Sequence, residues 1–519
     1  MAAPCGTQPH QPQPGPWFPR LRLAIARTHQ LGGHQPPPHP HPHLSRRHAA
    51  APRTPLVRRR FLPGRTSSGR EVRRRHGGSA PTDHARARRC PLSANTLDPV
   101  DAFDTAKPAV TSTAAGPTAP PAVTFISITS VTPRPHAPRR RAARLSSALR
   151  RAVPALGLFA AARLTGLLML CLWAEHIGRS PGQLLTQTWD STWYTRIAAQ
   201  GYGHTLHFTD GAVHSDLAFF PLYPGLVRAV STVLPIGGGT AALLISWAAA
   251  AAAAFGIHLL GERLHGRTTA AVLVLLWGLL PHAVVFSIAY TEPLLTALAA
   301  FSLYAVLTGR WLWAGSLAAL AGLSRPNGVA IAAAVCAAVA YELWKRRAHA
   351  PWRLWAAAVV APLGWGGYLL WVGVRVGDPL SGYFAVQSGW RSRFDFGADT
   401  LRAVRDIVLG PAELASTGTA LIVAAALLLF ALLLLDRENR PPLPLLVYAG
   451  VLLLIAIGGG GSFFESKPRF LLPAFPLLLP LACALTKARP RAAIVLIAAL
   501  AGLSCCYGTY LLTVAPMPL

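Results

Sequence analysis

From residue 151 to the end of the chain, long apolar runs alternate with short polar breaks. Runs such as Leu421–Leu435 and Leu443–Ile457 carry no charge at all, and about 20 consecutive apolar residues match the hydrocarbon thickness of a bilayer. The pattern predicts eleven membrane spans, near 152–173, 240–260, 269–289, 293–309, 311–325, 327–343, 354–374, 417–435, 442–459, 469–486 and 492–514. One further stretch, Phe219–Pro235, is short and interrupted by Pro221, Pro224 and Arg228. A soluble globular enzyme is excluded over this region.

Charged residues decide whether Phe219–Pro235 crosses. Short cytoplasmic loops are enriched in Lys and Arg. The basic breaks Glu262–Arg267, Gly309-Arg310, Lys345–Arg353, Asp436–Arg440 and Lys487–Arg491, together with Arg139-Arg140-Arg141, fall on one side only if that stretch does not cross. It is therefore read as a helix lying on the outer interface, with Leu226, Val230 and Val233 on its buried face. The N-terminus is then cytoplasmic and the C-terminus outside. Residues 174–239, the turns at 290–292 and 325–327, and residues 375–416 and 460–468 are left outside.

Composition adds a second chain within the first. Of the 519 residues 52% are hydrophobic and the mean hydropathy is +0.37, yet the formal net charge is +29. Residues 1–150 hold 24 Lys and Arg against 5 Asp and Glu, so +19 of that charge sits in a Pro-, Arg- and His-rich segment. Such a segment has too little apolar surface to offset its ordering entropy. Residues 1–148 are thus expected to be a disordered cytoplasmic tail and residues 149–519 a transmembrane domain. The tail lacks the short charged, apolar and small-residue pattern of a cleavable signal peptide. Met occurs only at Met1, Met169 and Met517, and part of residues 1–130 is read as a mis-assigned start. No nucleic-acid partner is expected, because the basic clusters read first as a solvated tail. The seven cysteines are odd in number and without paired spacing, which argues against a disulfide framework or a zinc site.

The candidate chemistry gathers on the outer loops. Trp189, Trp193 and Ile197 recur at i, i+4 and i+8, one face of a helix, with Tyr194 and Arg196 beside them. Asp190, near the start of that helix, is placed between lipid boundary and water, where a carboxylate suits general-base attack by a hydroxyl; simple capping of the helix is the plainer alternative. There is no Gly-rich phosphate loop and no Asp-x-Asp pair for a divalent cation, so a donor already anchored in the bilayer is the expectation, with no cofactor or metal assigned. His204, His207 and His214 fit no strong ligand spacing. Charges at span ends are functional candidates: Glu292 in Tyr290-Thr291-Glu292-Pro293, Arg325 and Asn327 in Ser324-Arg325-Pro326-Asn327-Gly328, and Lys467 and Arg469 in Phe464–Phe470. Arg325, Lys467 and Arg469 could clamp a phosphate. The alternative is a set of pairs with Glu292 and Glu465 that locks helices together.

These motifs resemble a known family. Trp-Asp-x-x-Trp-Tyr-x-x-Ile-Ala-x-x-Gly-Tyr at 189–202, Ala-Phe-Phe-Pro-Leu-Tyr-Pro at 218–224, which contains Tyr223, Ala-Tyr-Thr-Glu at 289–292, Ser-Arg-Pro-Asn-Gly at 324–328 and Pro-Arg-Phe-Leu-Leu-Pro-Ala-Phe-Pro at 468–476 look like PIG-V-type mannosyltransferases over roughly residues 150–515. The resemblance implies an all-α polytopic bundle of the GT-C glycosyltransferase type. It further implies a polyprenyl- or dolichyl-phosphate mannose donor and inverting transfer to a lipid, glycan or protein acceptor without a covalent sugar–enzyme intermediate. Asp190 matches the expected catalytic base, and Arg325 and Arg469 match residues near the donor phosphate. A chain this rich in Ala and Arg reads as that of a high-GC bacterium, which leaves the acceptor open. Another polyprenyl-phosphate-linked sugar, or a flippase or transporter, are the competing readings.

Overall fold

The computed structural model describes residues 137–346, 351–436, 440–461 and 464–515. Over these the chain is almost wholly helical. Helix α1 (Ala137–His176) is followed by a long connection carrying α2 (Pro181–Thr186), α3 (Asp190–Gln200), the hairpin β1 (Thr205–His207) and β2 (Val213–Ser215), and α4 (Leu222–Val233). Then come α5 (Gly238–Gly278), α6 (Glu292–Leu307), α7 (Trp311–Gly322), α8 (Val329–Arg346) and α9 (Trp352–Val376). A second connection holds α10 (Gly382–Gly389), β3 (Ser392–Phe394) and α11 (Ala398–Leu409). Next are α12 (Leu414–Leu435), α13 (Leu443–Gly458) and β4 (Gly459–Gly461), the last pairing antiparallel with β3. The series ends with α14 (Lys467–Leu471), α15 (Leu479–Lys487) and α16 (Pro490–Thr513). Of the expected tail, residues 1–136 lie outside the described residues, as do Cys5 and Cys90; from Ala137 the chain is already helical.

Every predicted apolar segment coincides with helix, but fewer helices than eleven are individually long enough to span. Among the described residues six are long and apolar enough to cross, with a seventh if the bent pair Phe464–Leu471 and Phe475–Lys487 counts as one. The 240–260 and 269–289 segments begin the two arms of α5, which is broken at Gly266 (φ 83°, ψ 174°) without a Cβ penalty; a Cβ on Gly261 would lie 2.9 Å from Ala270 Cα, so the arms fold back on each other, and the second arm is α-helical as far as Gly278. Helices α6, α7 and α13, of 16, 12 and 16 residues, are shorter. At 1.5 Å rise per residue they reach roughly 18–24 Å of a core about 30 Å thick, so each depends on the turns that flank it. The result is a multi-pass membrane bundle.

Lipid tails are as apolar as Leu, so helices in a bilayer associate by close packing of small residues. The α7–α9 contact shows this. A Cβ on Gly315 would lie 2.9 Å from Ala357 Cα, one on Gly322 would lie 2.6 Å from the Trp365 nitrogen, and one on Gly364 would overlap the Ala319 carbonyl. The bend of 77° between α14 and α15 leaves backbone carbonyls that no helix satisfies. Trp277 Nε1 donates to Leu472 O at 3.0 Å and Tyr448 Oη to Pro473 O at 3.1 Å, which holds the break open within protein.

Two amphipathic helices show which side the protein itself covers. Helix α4 does lie as a separate short helix, but Tyr223, Pro224 and Val227 are its buried residues, Val230 is half-buried beside them, and Val233 is exposed. Helix α3 buries Ser191, Tyr194, Ile197 and Ala198, so that of the Trp189–Trp193–Ile197 stripe Ile197 is buried and both tryptophans are half-buried. In both cases periodicity identifies an amphipathic helix, while the protein neighbour across it selects the face.

Candidate active site

Four pieces of chain that are far apart in sequence meet at one end of the bundle: the start of α3, the turn into α6, the α7–α8 turn and α14. Polar side chains close each turn. Ser191 Oγ donates to Ala289 O at 3.1 Å, Ser246 Oγ donates to Tyr290 O at 2.7 Å, and Tyr223 Oη meets Ser246 Oγ at 2.7 Å and Ala242 O at 2.8 Å. Tyr223 therefore holds the α6 turn from behind. Trp189, the residue before α3, has φ 44°. A non-glycine residue at positive φ costs about 1–3 kcal/mol and persists only where its surroundings impose it. Its peptide delivers the Asp190 N–H to Tyr290 Oη at 3.3 Å. Asp190 is the first residue of α3 and makes no side-chain capping bond, so its carboxylate is left for other partners.

Arg469 supplies the main one. Its Nη1 donates to Asp190 Oδ2 at 2.6 Å, while its Nε lies 3.4 Å from Glu292 Oε1. Arg325 Nη1 reaches the same Glu292 oxygen at 2.5 Å and donates to Thr291 Oγ1 at 2.9 Å; Thr291 Oγ1 in turn meets Tyr194 Oη at 3.3 Å. The Arg469 guanidinium also lies over the Tyr290 and Phe470 rings, 5.4 Å from each centroid. Glu292 is 1% exposed and neither of its oxygens accepts a well-directed hydrogen bond among the described residues, so ion pairing alone compensates its burial. Being the first residue of α6, it also faces the positive end of that helix. The Asp190 side chain, 18% exposed, is the acidic group that reaches solvent, and Oδ1 accepts no hydrogen bond among the described residues. The arrangement is two carboxylates and two guanidiniums in alternation, with Arg469 between the acids.

The other candidates are placed differently. Lys467 Nζ is bonded to the carbonyl oxygens of Ala456, at 2.9 Å, and Gly459, so it secures the α13–β4 corner and is not joined to the arginine pair. Glu465 accepts from Ser416 Oγ at 2.6 Å and pairs with no cation among the described residues, so the helix-locking alternative holds for Glu292 and not for Glu465. Asn327 is buried in the turn after Arg325. Arg196 is exposed and bonded to His204 Nε2. Trp193 stacks on Phe219 at 5.6 Å and meets Trp390 edge-on at 5.2 Å. His214 stacks on Trp390 at 3.9 Å, and burial holds its imidazole below the ordinary value against the opposing pull of Asp210. Arg391 pairs with Asp210 at 2.8 Å, so the second long connection is fastened to the first. Among the described residues no group of three His, Cys, Asp or Glu side chains could hold a metal ion.

No family model matches the sequence, and no curated protein matches it. The structure is similar to two solved proteins. One is the oligosaccharyltransferase of Archaeoglobus fulgidus in the apo form, at 14% identity over 69% of this chain and 55% of that one, with TM-score 0.41. The other is ArnT from Cupriavidus metallidurans bound to undecaprenyl phosphate, at 16% identity over 69% of this chain and 65% of that one, with TM-score 0.43. The chain spans between half and two thirds of the length of these structures.

Sequence reasoning missed Tyr290 and Thr291 as site residues, although both stand in a motif that it singled out for Glu292. Thr291 is the hinge of the network, since it accepts from Arg325 and contacts Tyr194. Alternating polar and aromatic residues immediately before a Pro-initiated helix were the available signal.

Proposed function

We propose that the chain is a membrane glycosyltransferase that moves mannose from a polyprenyl-phosphate donor to a hydroxyl of an extracytoplasmic lipid, glycan or protein, with inversion. The observation that carries the reading is the solvent-reaching Asp190 carboxylate held 2.6 Å from Arg469 at the end of an apolar bundle. Beside it, an apolar crevice of about 230 Å³ runs from Pro468 and His282 along Leu471, Ile422, Leu429 and Leu481. A lipid chain fits such a crevice, and Pro468, which lines it, immediately precedes Arg469, so a phosphate at that end would lie toward Arg469.

The chemistry follows from these groups. The acceptor hydroxyl gives its proton to Asp190 Oδ1 and its oxygen forms a bond to the anomeric carbon. The bond from that carbon to the phosphate oxygen breaks, and polyprenyl phosphate leaves with the electron pair. Arg469 and Arg325 offset the negative charge that develops on the leaving oxygen. The basic segments Arg151, Arg263, Arg310 and Arg353 line one cavity at the opposite end of the bundle, which supports placing that end in the cytoplasm and the Asp190 end outside. On this reading residues 1–148 are a cytoplasmic tail outside the catalytic unit.

A donor panel in detergent solution tests the proposal. Purified full-length protein is given labelled polyprenyl-phosphate mannose, glucose or arabinose with cell-envelope lipid and glycan extract. Mannose should appear in a product of inverted anomeric configuration. Transfer from another donor alone would replace mannose, and absence of any transfer, with lipid-linked sugar moved across vesicles instead, would favour a carrier.

A further inference from the structure

The large cavity lies far from Asp190. It measures about 1270 Å³ and is lined by α1, α5, the α6–α7 turn, α7 and the start of α9. Glu292 opens α6 and Tyr304, twelve residues on, lines the cavity, so roughly 18 Å of helix separates the cavity from Glu292.

The charges in this cavity are not mutually satisfied. Glu262 is its acidic lining residue and is already held by Arg151 and Arg267, each at 2.9 Å. Arg263 Nη2 donates to the Leu307 carbonyl at 3.2 Å. The Arg310 and Arg353 guanidiniums line the same space with no ion-pair or hydrogen-bond partner among the described residues. Guanidinium is the side chain that best matches the fork of phosphate oxygens. Two further features identify what carries the phosphate. Trp311 and Trp313 are among its lining residues, Trp313 67% exposed, as aromatics are at the headgroup level of a bilayer. Phe255 and Leu259 add an apolar part to the wall. The volume also exceeds the roughly 300–1,000 Å³ of small-molecule pockets.

We propose that this cavity is a binding site for an anionic phospholipid of the adjacent leaflet, its phosphate held by Arg310 and Arg353 and the upper part of its acyl chains lying on Phe255 and Leu259. A zwitterionic lipid such as phosphatidylcholine brings the same phosphate together with a trimethylammonium cation, which would be repelled by the basic lining of Arg263, Arg310 and Arg353. A soluble phosphate would leave the apolar wall uncovered. The site is separate from the proposed transfer reaction and does not rest on it.

Native mass spectrometry of the full-length protein in detergent tests this, using phosphatidylglycerol, phosphatidylcholine of the same chains, and inorganic phosphate. The wild type should retain one phosphatidylglycerol tightly and phosphatidylcholine weakly, with inorganic phosphate failing to displace the former. The Arg310→Gln/Arg353→Gln variant should bind phosphatidylglycerol about 30-fold more weakly, from two contacts of ~1 kcal/mol each. Glu262→Gln, which releases Arg151 and Arg267, should bind at least as tightly as wild type and keeps the test intact if the double variant is unstable. Equal retention by the double variant, equal retention of phosphatidylcholine, or full displacement by inorganic phosphate would overturn the assignment; the last would make it a small-anion site.

Discussion

Replacing Asp190 by Asn separates catalysis from structure more cleanly than any other substitution at the site. The amide keeps an oxygen where Oδ2 now accepts from Arg469 Nη1 at 2.6 Å, so geometry is largely preserved. What is lost is the charge. A hydrogen bond to a charged group contributes about 1.5–3 kcal/mol and a neutral one about 1. The variant should therefore be about 1–2 kcal/mol less stable, softened because Asp190 is 18% exposed and Arg469 keeps Glu292 at 3.4 Å. Transfer should suffer far more. Loss of a positioned general base typically costs 10²–10⁴-fold, or about 2.7–5.5 kcal/mol in the barrier. The assay is the initial rate of labelled mannose transfer from polyprenyl-phosphate mannose in detergent, with apparent melting at a fixed scan rate followed in parallel. A rate within threefold of wild type would remove Asp190 from the chemistry. A fall in rate matched by a melting point more than about 10 °C lower, well above the few degrees that 1–2 kcal/mol implies, would reduce Asp190 to a structural partner of Arg469.

Two other substitutions address the scaffold. Glu292→Gln leaves Arg325, with its side chain 7% exposed, without its carboxylate and Arg469, 10% exposed, with Asp190 alone; breaking a buried pair costs about 3–5 kcal/mol, and apparent melting should fall by on the order of 10 °C. Glu465→Gln, which loses only a Ser416 contact, is the control, and an equal fall in both would refute the buried lock. Gly364→Val should cost about 3 kcal/mol or more by forcing α7 from α9, whereas Gly366→Val, whose Cβ meets nothing within 4 Å, should leave yield and melting nearly unchanged. Similar melting of the two variants would count against close α7–α9 packing.

Helix positions were readable from the chain because bilayer thickness and apolar length are tied by simple geometry. What the apolar pattern left undetermined was how pieces combine. The 269–289 segment reads as one continuous span, but it is α-helical only as far as Gly278 and ends in the short 3-10 helix Ala283–Ser287, which hydropathy does not reveal. The stripe Trp189–Trp193–Ile197 is genuine spacing, yet α3 turns its Tyr194 side to Thr291 because an α6 turn lies there. Arg325, Glu292 and Arg469 stand out in a sequence because cations and acids at span ends are costly. Their partners do not stand out: the Asp190–Arg469 bond joins residues 279 positions apart. Lys467 shows the converse error. It shares the signal of Arg469 two residues on, but a five-residue helix sends the two side chains in different directions, and the Lys467 ammonium ends on the carbonyls of α13.

The charge balance of the network constrains how such a site could work. Asp190 and Glu292 offset Arg325 and Arg469, so the four groups carry no net charge before substrate arrives, and a phosphate entering there adds negative charge to a buried setting. That addition is tolerable only if a guanidinium turns from its present carboxylate to the phosphate. Arg325 is held at two points, on Glu292 and on Thr291, whereas Arg469 bridges Glu292 at 3.4 Å and Asp190 at 2.6 Å. Arg469 is thus the cation whose movement relieves the most crowding and leaves Glu292 still paired. The same movement would withdraw the guanidinium from Asp190 Oδ2, so on the proposed reading the carboxylate whose open Oδ1 takes the proton loses its paired cation as the lipid-linked phosphate comes into place. Premature attack by water would be disfavoured by the ion pair itself, without a lid, because the carboxylate that must accept the proton is engaged until the donor has arrived.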